Sequence, residues 1–177
     1  MSFAHHREDR YANLSQSSPD NTAIRISDAT LFFATGALAN GVTVQEANYT
    51  LYAVDASFKY KGFFLIGEGY FRNLSQFAAD GPLPLSSIFD KGFMVQLSGF
   101  AIPRKLELYG ATSQIYGSFN NSNEVLFGLN VYPFNTRNMR VNGQVIFVNK
   151  SAVSSVFGYY TAGQTGTTVS IATSIFF

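Results

Sequence analysis

Apolar and polar side chains alternate with period two along most of the chain from Tyr49 onward. In the run Tyr49 to Tyr60, one parity reads Tyr52, Val54, Ala56, Phe58 and Tyr60, and the other includes Asp55, Ser57 and Lys59. The same alternation recurs in Gly62 to Arg72, Gly92 to Ile102, Arg104 to Ser113, Asn123 to Tyr132 and Asn138 to Phe147. A last run sets Val169, Ile171, Thr173, Ile175 and Phe177 against Thr168, Ser170, Ala172, Ser174 and Phe176. Side chains of a strand point alternately to its two faces, so seven strands of roughly 10 residues are predicted, each with one apolar and one polar face. That length suits a tilted strand crossing a membrane and exceeds the five or six residues usual in water-soluble sheets.

The links between these runs alternate in length. Short ones are predicted at Tyr60-Lys61, Ile102-Pro103 and Pro133-Phe134-Asn135, and long ones at Asn73 to Lys91, Gln114 to Ser122 and Val148 to Gly166. Short turns on one rim and long loops on the other are a mark of outer-membrane barrels. The first 48 residues are less regular. Residues 1–22 read as a polar N-terminal loop or a truncated strand. "TAIRIS" and "TLFFATGA" read as two short strands turning at Asp28-Ala29, or as one bent strand. The N-terminus has no apolar core segment and does not read as a secretory signal.

Period two alone does not separate a soluble β-sandwich from a membrane barrel, since both have two unlike faces. Three features favour the barrel. Past Arg104, which heads its run, the apolar parity of the seven runs carries no charged residue, and lipid penalises charge steeply at mid-depth. The other parity mixes charges with Asn and Gln, as a wet interior does. Aromatics gather near run ends, as in Phe58-Tyr60-Phe63 and Tyr132-Phe134, like an interfacial girdle. The expected fold is therefore an all-β, antiparallel transmembrane β-barrel, with eight to ten strands in this chain.

Composition fits that reading. Of 177 residues, 46% are apolar and only 13% charged, about half the charged share of an ordinary soluble domain. A net charge of +1 leaves no electrostatic footprint for nucleic acid. The absence of cysteine excludes disulfides, thiolate metal sites and a cysteine nucleophile.

Three stretches, "DASFKYKGFFLIGEGYFRNL", "FDKGFMVQLSGFAIPRKLELYGATSQIYG" and "FGLNVYPFNTRNMRVNGQVIFV", resemble the C-terminal half of phosphate-selective porins O and P. The likeness rests on Asp55, Lys59 and Tyr60, on Gly62 and Glu68, on Pro103, Lys105, Leu106 and Glu107, and on Gly128, Asn130 and Tyr132. It runs from about Ala23 to Phe177. The resemblance implies a barrel of about sixteen strands of which this chain supplies half, a homotrimer, a bacterial outer-membrane location, and passive diffusion of small solutes or anions. The alternatives left open are a small structural or adhesive outer-membrane barrel without a continuous pore, and a soluble sandwich acting as a binding module.

The polar parity supplies the candidate pore lining: Lys59, Arg72, Lys105 and Arg140 against Asp55, Glu68, Glu107 and Glu124. That balance of signs does not support phosphate selectivity. Val169, Ile171, Ile175 and Phe177 look like the terminal pattern that barrel-assembly machinery recognises, so that machinery and outer-membrane lipid are the expected partners. His5 and His6 lack a companion cluster and read as part of a solvated terminus. No catalytic group, metal site or cofactor is expected.

Overall fold

The chain folds into one antiparallel meander in which each strand pairs with its neighbours in sequence. The structure, a computed structural model, describes residues 1–11, 24–136, 138–152 and 163–175. Its strands are β1 (Ser2–Asp9), β2 (Val44–Tyr60), β3 (Phe63–Ala79), β4 (Ser87–Ile102), β5 (Leu106–Tyr116), β6 (Asn121–Val131), β7 (Met139–Asn149) and β8 (Gly166–Ile175). All ladders are antiparallel. There is no helix among the described residues.

All seven predicted runs are strands, and β1 adds an eighth. Of the two readings of the N-terminus, the truncated strand holds for Ser2–Asp9, while residues 12–22 lie outside the described ones. One expectation is corrected. No ladder joins β1 to β8 among the described residues, so the sheet is open and has two edges rather than closing into a barrel.

The short connections form one rim. Lys61 and Gly62 join β2 to β3 with φ of 44° and 87°, the paired left-handed conformation of a two-residue hairpin whose twist matches its strands. Pro103 to Lys105 join β4 to β5, with Arg104 at φ 61°. On the opposite rim the strands run further than the alternation indicates. Here β3 continues to Ala79 and β4 begins at Ser87, which shortens the loop expected at Asn73 to Lys91. The β5–β6 link is likewise only Gly117 to Asn120.

"TLFFATGA" and the described part of "TAIRIS", residues 24–27, are not strands. Apart from a single bridge, Arg25 to Leu31, they belong to an irregular strap over residues 24–43. Asp28 and Ala29 do form the turn, with Asp28 Oδ1 accepting from Thr30 N at 2.9 Å. Tertiary burial overrides the local β pattern here. Ile24, Ile26, Phe32 and Phe33 of the strap pack with Val44, Ala47, Leu74 and Ile88 of β2–β4 into the buried apolar cluster among the described residues. Leu74 and Ile88 share the parity of the polar face, so the strap lies on that face at the long-loop end.

A candidate pore wall and a lipid-facing belt

The ladder registers place the seven apolar parities on one face. Phe58 pairs with Leu65, Leu65 with Leu97, Gly110 with Phe127, Phe127 with Val145, and Val145 with Val169. This face is the exposed one. Leu97 is 54% exposed, Phe127 56% and Ile171 79%. On β3 the outward positions run from Phe63 to Phe71, about 26 Å along the strand at roughly 3.3 Å per residue. A tilted strand crossing an apolar band of roughly 25 Å has a comparable length. The belt is uncharged between its margins. At the short-turn margin Lys61 Nζ lies 5.1 Å from the Tyr60 ring centroid, and at the other Lys91 Nζ lies 6.0 Å from that of Tyr116. Arg7 and Glu46 pair on the same side, beyond the belt at the long-loop rim.

The opposite face holds the buried positions, several of them polar. Asp90, Ser98 and Asn130 are buried there. Polar groups form a hydrogen-bonded chain across β5–β7, starting from the Glu107 carboxylate. Tyr132 Oη donates to Glu107 Oε2 at 3.0 Å, and Asn130 Nδ2 donates to the same oxygen at 3.1 Å. Asn142 Nδ2 donates to Asn130 Oδ1 at 2.9 Å and to Tyr109 Oη at 2.6 Å, while Tyr109 Oη donates to Gln144 Oε1 at 3.0 Å. The Tyr109 ring passes over Gly128, where a Cβ would come within 2.3 Å of its Cζ. Only glycine admits that approach, and it sets the ring in the network.

Seven of the eight candidate lining residues stand on this polar face: Asp55 and Lys59 on β2, Glu68 and Arg72 on β3, then Glu107, Glu124 and Arg140 on β5, β6 and β7. Lys105 does not. The β4–β5 ladder skips a residue between Phe100 and Ile102, so β5 starts at Leu106 and Lys105 falls in the turn, its N donating to Ile102 O at 3.0 Å. Asp90 is the lining residue that the alternation missed. It pairs with Arg72 and accepts from Ser118 N at 3.0 Å. Extending the β4 parity two residues back from Gly92 finds it.

The strap is latched to the far side of this face. Ser27 Oγ accepts from Phe119 N at 3.0 Å and from Asn120 N at 3.2 Å. A Cβ at Gly117 would sit 2.0 Å from that of Ser27, so the latch requires glycine there.

His5 and His6 point to opposite faces of β1, as neighbours on a strand must, and do not converge on one ion. His5 Nδ1 contacts Thr50 Oγ1 at 2.8 Å and His6 Nε2 contacts Glu8 Oε1 at 2.6 Å. Val169, Ile171 and Ile175 all lie on the exposed apolar face of β8. Phe177 lies outside the described residues. No protein-family profile, curated protein or solved structure matches the chain.

Proposed function

We propose that this chain forms part of the wall of a porin-type outer-membrane β-barrel through which small hydrophilic solutes diffuse passively. The observation that carries the reading is an inversion: the large, uncharged apolar face is exposed, and the face with buried Asp90, Ser98 and Asn130 is the polar one. A sheet stable in water buries the opposite way, and an exposed apolar surface of this extent needs a cover. Lipid is that cover. Hydrocarbon offers no hydrogen bonds to free strand edges, so β1 and β8 pair in the membrane with further strands of the same kind. The resemblance to porins O and P makes those strands the other half of a larger barrel.

Single cysteines test which face meets water, since the chain has none of its own. The protein is expected to fractionate with outer membranes. There, Cys at Arg140, Asn142 or Gln144 is expected to react with a small water-soluble thiol reagent, while Cys at Val141, Gly143 or Val145 is expected to resist it and to be quenched by lipid-borne probes. The reverse alternation, or recovery as a soluble monomer in plain buffer, overturns the reading.

The β8 pattern completed by Phe177 is, in this reading, the signal for the barrel-assembly machinery. Phe177→Asp is expected to lower the assembled fraction severalfold, while Phe119→Asp in the β5–β6 turn changes it little. Equal assembly of the two removes that role from Phe177. The strap favours a second reading, a structural or adhesive barrel without a continuous pore, because it packs apolar side chains over the polar face. Absence of conductance from folded protein in planar bilayers selects that alternative.

A further inference from the structure

Charge on the polar face is sorted by row as well as by face. Along the hydrogen-bonding direction Asp55 stands opposite Glu68, Glu68 opposite Met94, Met94 opposite Ser113, and Ser113 opposite Glu124. Three carboxylates from three strands, β2, β3 and β6, therefore share one cross-strand row, and no base stands in it among the described residues. The bases of this face lie elsewhere. Lys59 is two rows nearer the short turns, level with Phe64, Ser98 and Tyr109. Arg72 is two rows nearer the long loops and is occupied by Asp90, whose side chain is 3% exposed. Arg140 stands at the start of β7, opposite Ser174.

The row itself is poorly neutralised. Glu68 is exposed and makes no ion pair or side-chain hydrogen bond with any described residue. Asp55 meets the Met1 ammonium at 3.3 Å, but both side chains are largely in water, at 67% and 76% exposure, where such a pair contributes little. The strap adds one charge of each sign, Arg25 and Asp28. Like charges placed directly across a ladder, as Asp55 and Glu68 are, cost stability. A hydrated cation in front of the row relieves that repulsion, and rows of Asp and Glu are the means by which cation channels choose their ions.

We propose that the Asp55–Glu68–Glu124 row makes this wall favour cations over anions. The inference rests on the pore reading above. It runs against the anion preference that the family resemblance suggests.

The test is a reversal-potential measurement on the full protein, as assembled in outer membranes and reconstituted in planar bilayers, across a potassium chloride gradient. Potassium is expected to permeate faster than chloride. The ratio is expected to fall as salt rises from 0.1 M to 1 M, because the screening length shrinks from about 10 Å to about 3 Å. Glu68→Gln with Glu124→Gln is expected to lower the ratio severalfold, and Lys59→Gln to raise it. Chloride preference in the unaltered protein, or a ratio unmoved by the double Gln variant, overturns the cation assignment and leaves the pore reading standing. Absence of conductance from protein shown to be folded by heat-modifiable migration overturns the pore reading, and the assignment with it.

Discussion

Leu97→Arg is expected to lower folding stability in lipid vesicles by about 2–4 kcal/mol and to deplete the membrane fraction, while Gln96→Arg, one residue away, stays within about 0.5 kcal/mol. The two positions differ only in face. Leu97 projects outward between Leu65 and Gly110, near the middle of the apolar belt, and Gln96 lies on the polar face between Ile66 and Ala111. In water, an arginine replacing a half-exposed leucine on a sheet surface costs no more than any other surface change. A large effect at Leu97 alone therefore reports lipid. Denaturant titration of both variants in vesicles checks it, and equal midpoints for the two would remove the membrane assignment of this face.

Phe32→Ala is expected to release the strap. Phe32 is fully buried, with the Phe33 ring centroid 4.9 Å away at 70° and that of Phe77 at 5.4 Å. Truncating such a ring costs about 3–5 kcal/mol. Because the cluster is confined to the strap and the adjoining ends of β2–β4, that loss falls on local opening rather than on the whole sheet. Trypsin cleavage at Arg25, inside the strap, is expected to accelerate by at least about a hundredfold, since each 1.4 kcal/mol is a factor of ten. Phe147→Ala, which removes an outward ring on β7, is expected to leave that cleavage rate unchanged. A Phe32→Ala protein as resistant at Arg25 as the parent would mean that the aromatic cluster does not hold the strap.

The strands legible in the sequence were those whose two faces meet unlike surroundings. From Tyr52 to Tyr60 and from Phe63 to Phe71 the alternation is unbroken, and there the faces came out as read. Legibility failed where the pattern breaks. In β1, Phe3, His5 and Arg7 share one parity and Ala4, His6 and Glu8 the other, so neither parity is apolar throughout. At the start of β2 the register shifts twice between Val44 and Asn48, and in β3 Gln76 adopts φ 54°. Such bulges exchange the faces, which hides the long-loop ends of β2 and β3. The irregularity after Phe100 moved Lys105 off the wall for the same reason. The strap was misread because Ile24, Ile26, Phe32 and Phe33 are apolar for a tertiary purpose, and local spacing cannot distinguish that from a strand. Closure was beyond the pattern altogether, since alternation along a strand says nothing about which strand lies beside it.

The meander also has a consequence for how the chain folds. Each strand meets only its sequence neighbours, so the sheet can zip up hairpin by hairpin, and each two- or three-residue turn closes a short loop at small entropic cost. The latch between the strap and the β5–β6 turn is different in kind. Ser27 and Asn120, which it joins, are 93 residues apart in the chain, and four further strands must be in place before they can meet. Folding is therefore expected to build the sheet in a fast, local stage and to fasten the strap in a later, long-range one. Substitutions at Ser27 or Gly117 are expected to slow only the second.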